Sequence, residues 1–120
     1  MTIAEELIGY VELAQREISA TNGNGLADSL LEVSAAVARV GVILVDAEEG
    51  LLHVESRKRD MLLKMLGTDV SETRLSAEIR RLTIDERIAV KRAETLLVAL
   101  RGRFRAVQSA LRHLDAEIRL

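Results

Sequence analysis

The chain has 120 residues with 17 Lys and Arg against 19 Asp and Glu, and it lacks proline, cysteine and tryptophan. That length fits one domain. No disulfide or thiolate metal site is possible without cysteine, and the pattern suits a reducing compartment. With one Tyr and one Phe, the core must be aliphatic. A chain without proline can also form long uninterrupted helices, because nothing removes a backbone donor or clashes with the preceding turn.

Charge is unevenly divided along the chain. Residues 1–56 hold two basic and ten acidic side chains, 2 − 10 = −8, and residues 57–120 hold fifteen and nine, 15 − 9 = +6. Such asymmetry points to a polyanionic partner for the basic part or to head-to-tail pairing of subunits. The opening Met1-Thr2-Ile3-Ala4-Glu5-Glu6 has no basic n-region of a signal peptide. The apolar stretch from Leu30 to Val45 is interrupted by Glu32, Ser34 and Arg39 and is shorter than the roughly 20 residues a bilayer span needs. A membrane partner is therefore not expected, and a cytoplasmic location is.

In chain order, Thr2-Ile3-Ala4-Glu5 reads as a capping box. It predicts a helix to about Ser19, within an N-terminal segment 1–21, with Leu7, Val11, Ala14 and Ile18 as its buried stripe. Asn22-Gly23-Asn24-Gly25 tolerates positive φ and predicts a turn. A central long helix over 26–66 follows, with no stop before Gly67, which comes after Lys64 in the order expected of a helix C-terminus. About forty helical residues would be roughly 60 Å long. Gly41 and Gly50 are candidate kinks or close crossings. Between Val33 and Val45 apolar residues occupy every face, and a helix apolar all round is buried all round. This predicts a homo-oligomer with Leu30, Val33, Val37, Val40 and Leu44 at the interface.

Residues 67–83 read as a linker with a short helix over about 70–81, capped from Asp69-Val70-Ser71-Glu72 and carrying Leu75, Ile79 and Leu82. Thr83-Ile84-Asp85-Glu86 is a third candidate capping box and opens a C-terminal long helix over 84–120. There Val90, Ala93, Leu97, Leu100, Phe104, Val107, Leu111, Leu114 and Ile118 alternate spacings of three and four, a sustained heptad seam that calls for a partner helix. The antiparallel central helix is the expected partner. The expected fold is all-α: an antiparallel hairpin of two long helices, an N-terminal helix and a short linker helix, assembling as an oligomer.

A hairpin brings the end of the central helix and the start of the last helix to one tip. From Arg57 to Arg92 there are ten basic and six acidic residues, 10 − 6 = +4. Arg57, Lys58, Arg59, Lys64, Arg80, Arg81, Lys91 and Arg92 are the candidate phosphate contacts, with Arg87 in the same cluster. Such contacts give affinity without base information. The competing reading is a solvated helix end with internal pairs, Glu55 with Arg59 and Asp60 with Lys64 at i, i+4. Aromatic stacking platforms are not available: Phe104 falls in the seam and Tyr10 stands alone.

Asp46, Glu49 and His53 share a helix face, but the spacing is not the Glu-x-x-His of bundle metal sites, so no metal or other cofactor is expected. No serine has a histidine and a carboxylate in a nucleophilic arrangement, and the glycines form no phosphate-binding fingerprint. The chain reads as a non-enzyme. A metal-dependent bundle enzyme using the 46–55 acidic face is the weakest alternative.

The run Val54-Glu55-Ser56-Arg57-Lys58-Arg59 through Leu63-Lys64 resembles the basic segment that ends the central helix of UvsY-type recombination mediators of tailed bacteriophages. Ser71-Glu72-Thr73-Arg74 with Glu78-Ile79-Arg80 resembles the linker helix of phage relatives, and Ala99 through Val107 (ALRGRFRAV) resembles the C-terminal signature. The resemblance spans residues 50–118 and implies a small helical subunit of a closed ring. That subunit would bind single-stranded DNA and help load a recombinase onto strands coated by single-strand-binding protein in a phage-infected or prophage-carrying host. The matching DNA-contacting cations fall around Lys58 to Lys64, where Met61-Leu62-Leu63 replaces part of the family's basic stretch. The alternative to this function is a structural or adaptor coiled-coil subunit for phage assembly, without nucleic acid.

Overall fold

A computed structural model describes residues 1–18, 23–67 and 69–119, with no statement on the Arg119 side chain. Among these residues are four helices: α1 (Ile3–Gln15), α2 (Gly23–Leu66), α3 (Glu72–Leu82) and α4 (Ile84–Arg119). No strand occurs among the described residues. The chain forms two compact units, one of residues 1–42 with 94–120 and one of residues 43–93. Both long helices contribute to each.

In the first unit, α2 and α4 run antiparallel. Gly23 lies beside Leu114, where an added Cβ would come within 3.4 Å of the leucine side chain. Further along, Ser34 and Val37 line a groove with Arg101, Phe104 and Arg105, so rising numbers on α2 meet falling numbers on α4. Leu13, Leu26, Val33, Ala36, Leu96, Leu97, Leu100 and Val107 are among the buried side chains of this unit. The α4 seam follows the heptad, with Ala93, Leu97, Leu100 and Val107 buried, until Ile118 near its end, which is exposed.

α1 starts as its sequence dictates, with the Thr2 hydroxyl accepting from the Glu5 amide at 3.1 Å. It ends at Gln15, four residues before the expected stop at Ser19, with Arg16 in extended backbone as its cap. Ser19 itself and Asn22 lie outside the described residues. The buried α1 residue is Leu13, whereas Val11 is exposed, Leu7 and Ala14 are only half-buried, and Ile18 lies beyond the helix. Two overlapping stripes compete on this helix, and polar tethers select the one through Glu6, Tyr10 and Leu13. Arg39 on α2 grips the Glu6 carboxylate at both oxygens, Nε to Oε1 at 2.6 Å and Nη2 to Oε2 at 3.1 Å. Tyr10 donates to the same carboxylate at 2.9 Å.

The expected turn at Gly23-Asn24-Gly25 is instead the first turn of α2. First-turn amides need no intrahelical acceptor, so glycine costs least there. Leu26, 2% exposed, anchors the turn, and Gly23 lies beside Leu114, where a Cβ would make an ordinary contact. Gly41 and Gly50 produce no break. α2 is continuous through both, and a Cβ at either would meet open space. Helical hydrogen bonding, which glycine weakens by only about 1 kcal/mol, prevails over 44 residues.

In the second unit, Leu62 on α2 and Leu75 and Ile79 on α3 form a buried cluster, with Leu63, Val70 and Leu82 packed against it. α2 ends in Gly67 at φ +80°, whose amide donates to the Leu63 carbonyl at 3.0 Å. Among the described residues this left-handed cap is the one place where glycine is conformationally required. α3 begins two residues later than expected, because Ser71 caps it by accepting from the Arg74 amide at 3.2 Å. Only Thr83 separates α3 from α4. Its side chain is fully buried and its hydroxyl donates to the Ile79 carbonyl at 2.8 Å. The expected capping box at Thr83–Glu86 is therefore not built: the Thr83 hydroxyl bonds back to α3 rather than accepting from an α4 amide, and only the Thr83 carbonyl accepts from the Arg87 amide.

The expected oligomer face is only partly open in the single chain. Val33 and Val40 are 0% exposed within the single chain, and Leu30, Val37 and Leu44 are half-buried. At about 100° per residue, 33 and 40 fall on one inward line. A residue sealed inside its own chain cannot touch another copy. The exposed large apolar side chains of α2 are instead Leu31, Val42, Val45, Leu52, Met61, Met65 and Leu66, with Leu31 at 71%.

Candidate nucleic-acid interface

The eight predicted phosphate contacts all lie in the second unit, on the last turns of α2, on α3 and on the first turns of α4. That unit as a whole holds ten basic and ten acidic residues, 10 − 10 = 0, because Asp46, Glu48, Glu49 and Glu55 precede the cationic run. Positive character is therefore local to residues 57–92.

Ion pairing divides the set. Arg59 reaches α3 and binds the Glu72 carboxylate at 2.7 and 3.4 Å. Each partner stabilises the charge of the other: the hydrogen bond and then the charge of Arg59 hold Glu72 below the usual carboxylate range, and Glu72 raises Arg59 in the same way. Arg81 pairs with Glu78 one turn away on α3, at 3.0 Å. Arg87, from the same cluster, binds Glu55 on α2 at 2.6 Å and donates to the Thr83 hydroxyl at 3.1 Å. The expected Glu55–Arg59 and Asp60–Lys64 pairs do not form. Glu55 and Arg59 both reach to another helix instead, Glu55 to Arg87 on α4 and Arg59 to Glu72 on α3.

Eight less two leaves six. Arg57, Lys58, Lys64, Arg80, Lys91 and Arg92 have no ion-pair partner among the described residues, and all but the half-buried Lys58 are exposed. They do not form one patch. Arg57 and Lys64, seven residues apart, lie within about 20° of each other on α2, while Arg59 points about 160° away from Arg57. Arg59 and Arg80 instead line a shallow groove with Glu55, Ser56, Ser76 and Arg87, in which two carboxylate-bound arginines leave Arg80 as the unpaired cation.

Three further groups carry unusual electrostatics, all in the first unit. Arg39 and then Tyr10, by hydrogen bonding, hold the Glu6 carboxyl below its usual range. Burial, followed by the Glu6 hydrogen bond, raises the Tyr10 hydroxyl. Arg103 is buried at 7% exposure, donates through Nη1 to the Arg16 backbone carbonyl, and is lowered first by burial and then by the charge of Arg16. Its position in the α4 register, between Leu100 and Val107, was the available signal. A cation there is easily mistaken for a surface residue, because only the α1 C-terminus gives it an acceptor.

The Asp46, Glu49 and His53 face gathers into no cluster able to hold a metal, nor does any other set among the described residues. No helix of the described chain is long and apolar enough to cross a membrane. Fold and site together define an all-helical chain with two long antiparallel helices and a local cationic surface. No protein-family model, curated protein or solved structure matches it.

Proposed function

We propose that this chain is a non-enzymatic subunit of a homo-oligomer that binds single-stranded DNA through phosphate contacts and serves as a phage recombination mediator, helping to load a recombinase in the presence of single-strand-binding protein. The observation that supports the binding is the group of six cations without ion-pair partners on neighbouring segments of α2, α3 and α4. Cations already neutralised by carboxylates contribute little to counterion release, whereas unpaired ones contribute fully. The preference for single strands and the mediator role rest on the resemblance of residues 50–118 to UvsY-type proteins. With Phe104 half-buried in the first unit, stacking plays no part and the contact is electrostatic.

The test is fluorescence anisotropy of a labelled oligonucleotide, single-stranded against duplex, at low and moderate salt. Tighter binding of the single strand, weakening steeply with salt, is expected. Absence of binding at low salt would overturn the proposal. The second reading is an adaptor or scaffold subunit without nucleic acid, favoured by the exposed aliphatic side chains of α2. It predicts assembly with no oligonucleotide affinity.

A further inference from the structure

We infer that the first unit carries both halves of a head-to-tail contact between copies of this chain: the outer face of α1 on one copy seats in the open groove between α2 and α4 on the next. Each half is incomplete in a single chain. On α1, Ala4, Ile8 and Val11 recur at spacings of four and three and face away from buried Leu13. Ile8 is 59% exposed. Glu5 and Glu12 run along one side of this stripe, both exposed and without an ion-pair partner among the described residues, and α1 contains no basic residue. Glu6, the third carboxylate, is turned inward to Arg39.

The receiving groove has the complementary character. Its apolar floor is Val37 of α2 and Phe104 of α4, both half-buried, and Ser34 lies at its edge. Arg101 and Arg105 form the rim, exposed and without ion-pair partners among the described residues. The chain's own α1 cannot fill it. That helix is fixed on the other flank of α2, beside Ala36 and Arg39, and its end is tied by the Arg16 carbonyl to Arg103. A helix already packs on one flank of the α2–α4 pair, so the second flank offers the same kind of seat to an acidic amphipathic helix. The acidic amphipathic helix this chain supplies is α1 of another copy.

Because donor face and receiving groove are different surfaces, the contact is heterologous, and repeating it gives a closed ring or an open filament. The inference rests on the oligomeric part of the proposed function but uses none of the phosphate-binding cations, so the two fail separately.

Light scattering coupled to size exclusion on the full chain tests it, with Glu5→Arg/Glu12→Arg, with Arg101→Glu/Arg105→Glu, and with an equimolar mixture of the two variants. The wild type should elute as a multiple of the chain mass. Each variant alone should fall to lower mass, since its faces now repel. The mixture should recover the assembly, because each variant supplies the sign the other lacks, a recovery that misfolded chains would not show. A wild type of single-chain mass, a variant that retains the wild-type mass, or a mixture that stays dissociated each overturns the inference. Assembly without oligonucleotide affinity would leave it standing and sink the nucleic-acid reading, and oligonucleotide binding by a monomer would do the reverse.

Discussion

Removing unpaired cations and removing paired ones should have different effects on salt dependence. Six phosphate contacts per chain, the most the unpaired cations can make, at roughly 0.7 each give a slope of up to about −4 for log affinity against log salt on a single strand. Arg57→Gln/Lys64→Gln deletes two unpaired cations on one face of α2 and should reduce the slope to about −3. Between 50 and 200 mM salt the wild type would lose about 300-fold in affinity and the variant only about 50-fold. Arg59→Gln/Glu72→Gln instead deletes a closed ion pair and leaves net charge unchanged, so the wild-type slope should remain. Anisotropy titrations at four or more salt concentrations read both slopes. A wild-type slope in the first variant, or an equal reduction in the second, would refute the assignment of phosphate contact to the unpaired cations.

Leu100 is 0% exposed and Val98, two residues away, is 66% exposed. Leu100→Ala should therefore cost about 2–5 kcal/mol through lost burial and a cavity, and Val98→Ala within about 0.5 kcal/mol, both read by urea denaturation. Gly50→Ala meets open space on an exposed helical surface and should stabilise by up to about 1 kcal/mol, seen as a higher denaturation midpoint with unchanged slope. The Glu6 carboxyl lies below its ordinary 4.5 in the folded chain, so the unfolded chain takes up its proton first as pH falls. Its stabilising contribution is complete above that value and is lost as pH drops through the lower folded value. Thermal melts across that acid range should be less pH-dependent in Glu6→Gln than in wild type.

Periodicity and capping residues made the helical content, the antiparallel long pair and the Gly67 stop legible. They report strong local preferences that tertiary packing here does not oppose. The face of α1 was not legible, because Leu7-Val11-Ala14 and Tyr10-Leu13 are both plausible stripes, and the choice between them is made by Arg39, thirty-three residues beyond Glu6. The start of α2 is not legible for a similar reason: Gly23 and Gly25 read as breakers locally, whereas burial of Leu26 draws this turn into the helix. A segment with apolar residues on every face signals that some face is left for a partner without saying which one, so periodicity alone does not separate the inward line of Val33 and Val40 from the outer faces of α2. For the cations, counting charge could not distinguish Arg59 from Arg57. That difference depends on which side of α2 faces Glu72, a property of packing at Leu62, Leu75 and Ile79.

The single residue between α3 and α4 leaves that junction no slack. Thr83 is held from both sides, its amide and hydroxyl on Ile79 and its carbonyl accepting from the Arg87 amide. One inserted residue would rotate the start of α4 by about 100° against α3, carrying Arg87 off Glu55 and Ala93 out of the interior. Thr83 thus acts as an index mark for the helix that follows it, and changes of length in this connection should be tolerated before Ser71 but not after Leu82.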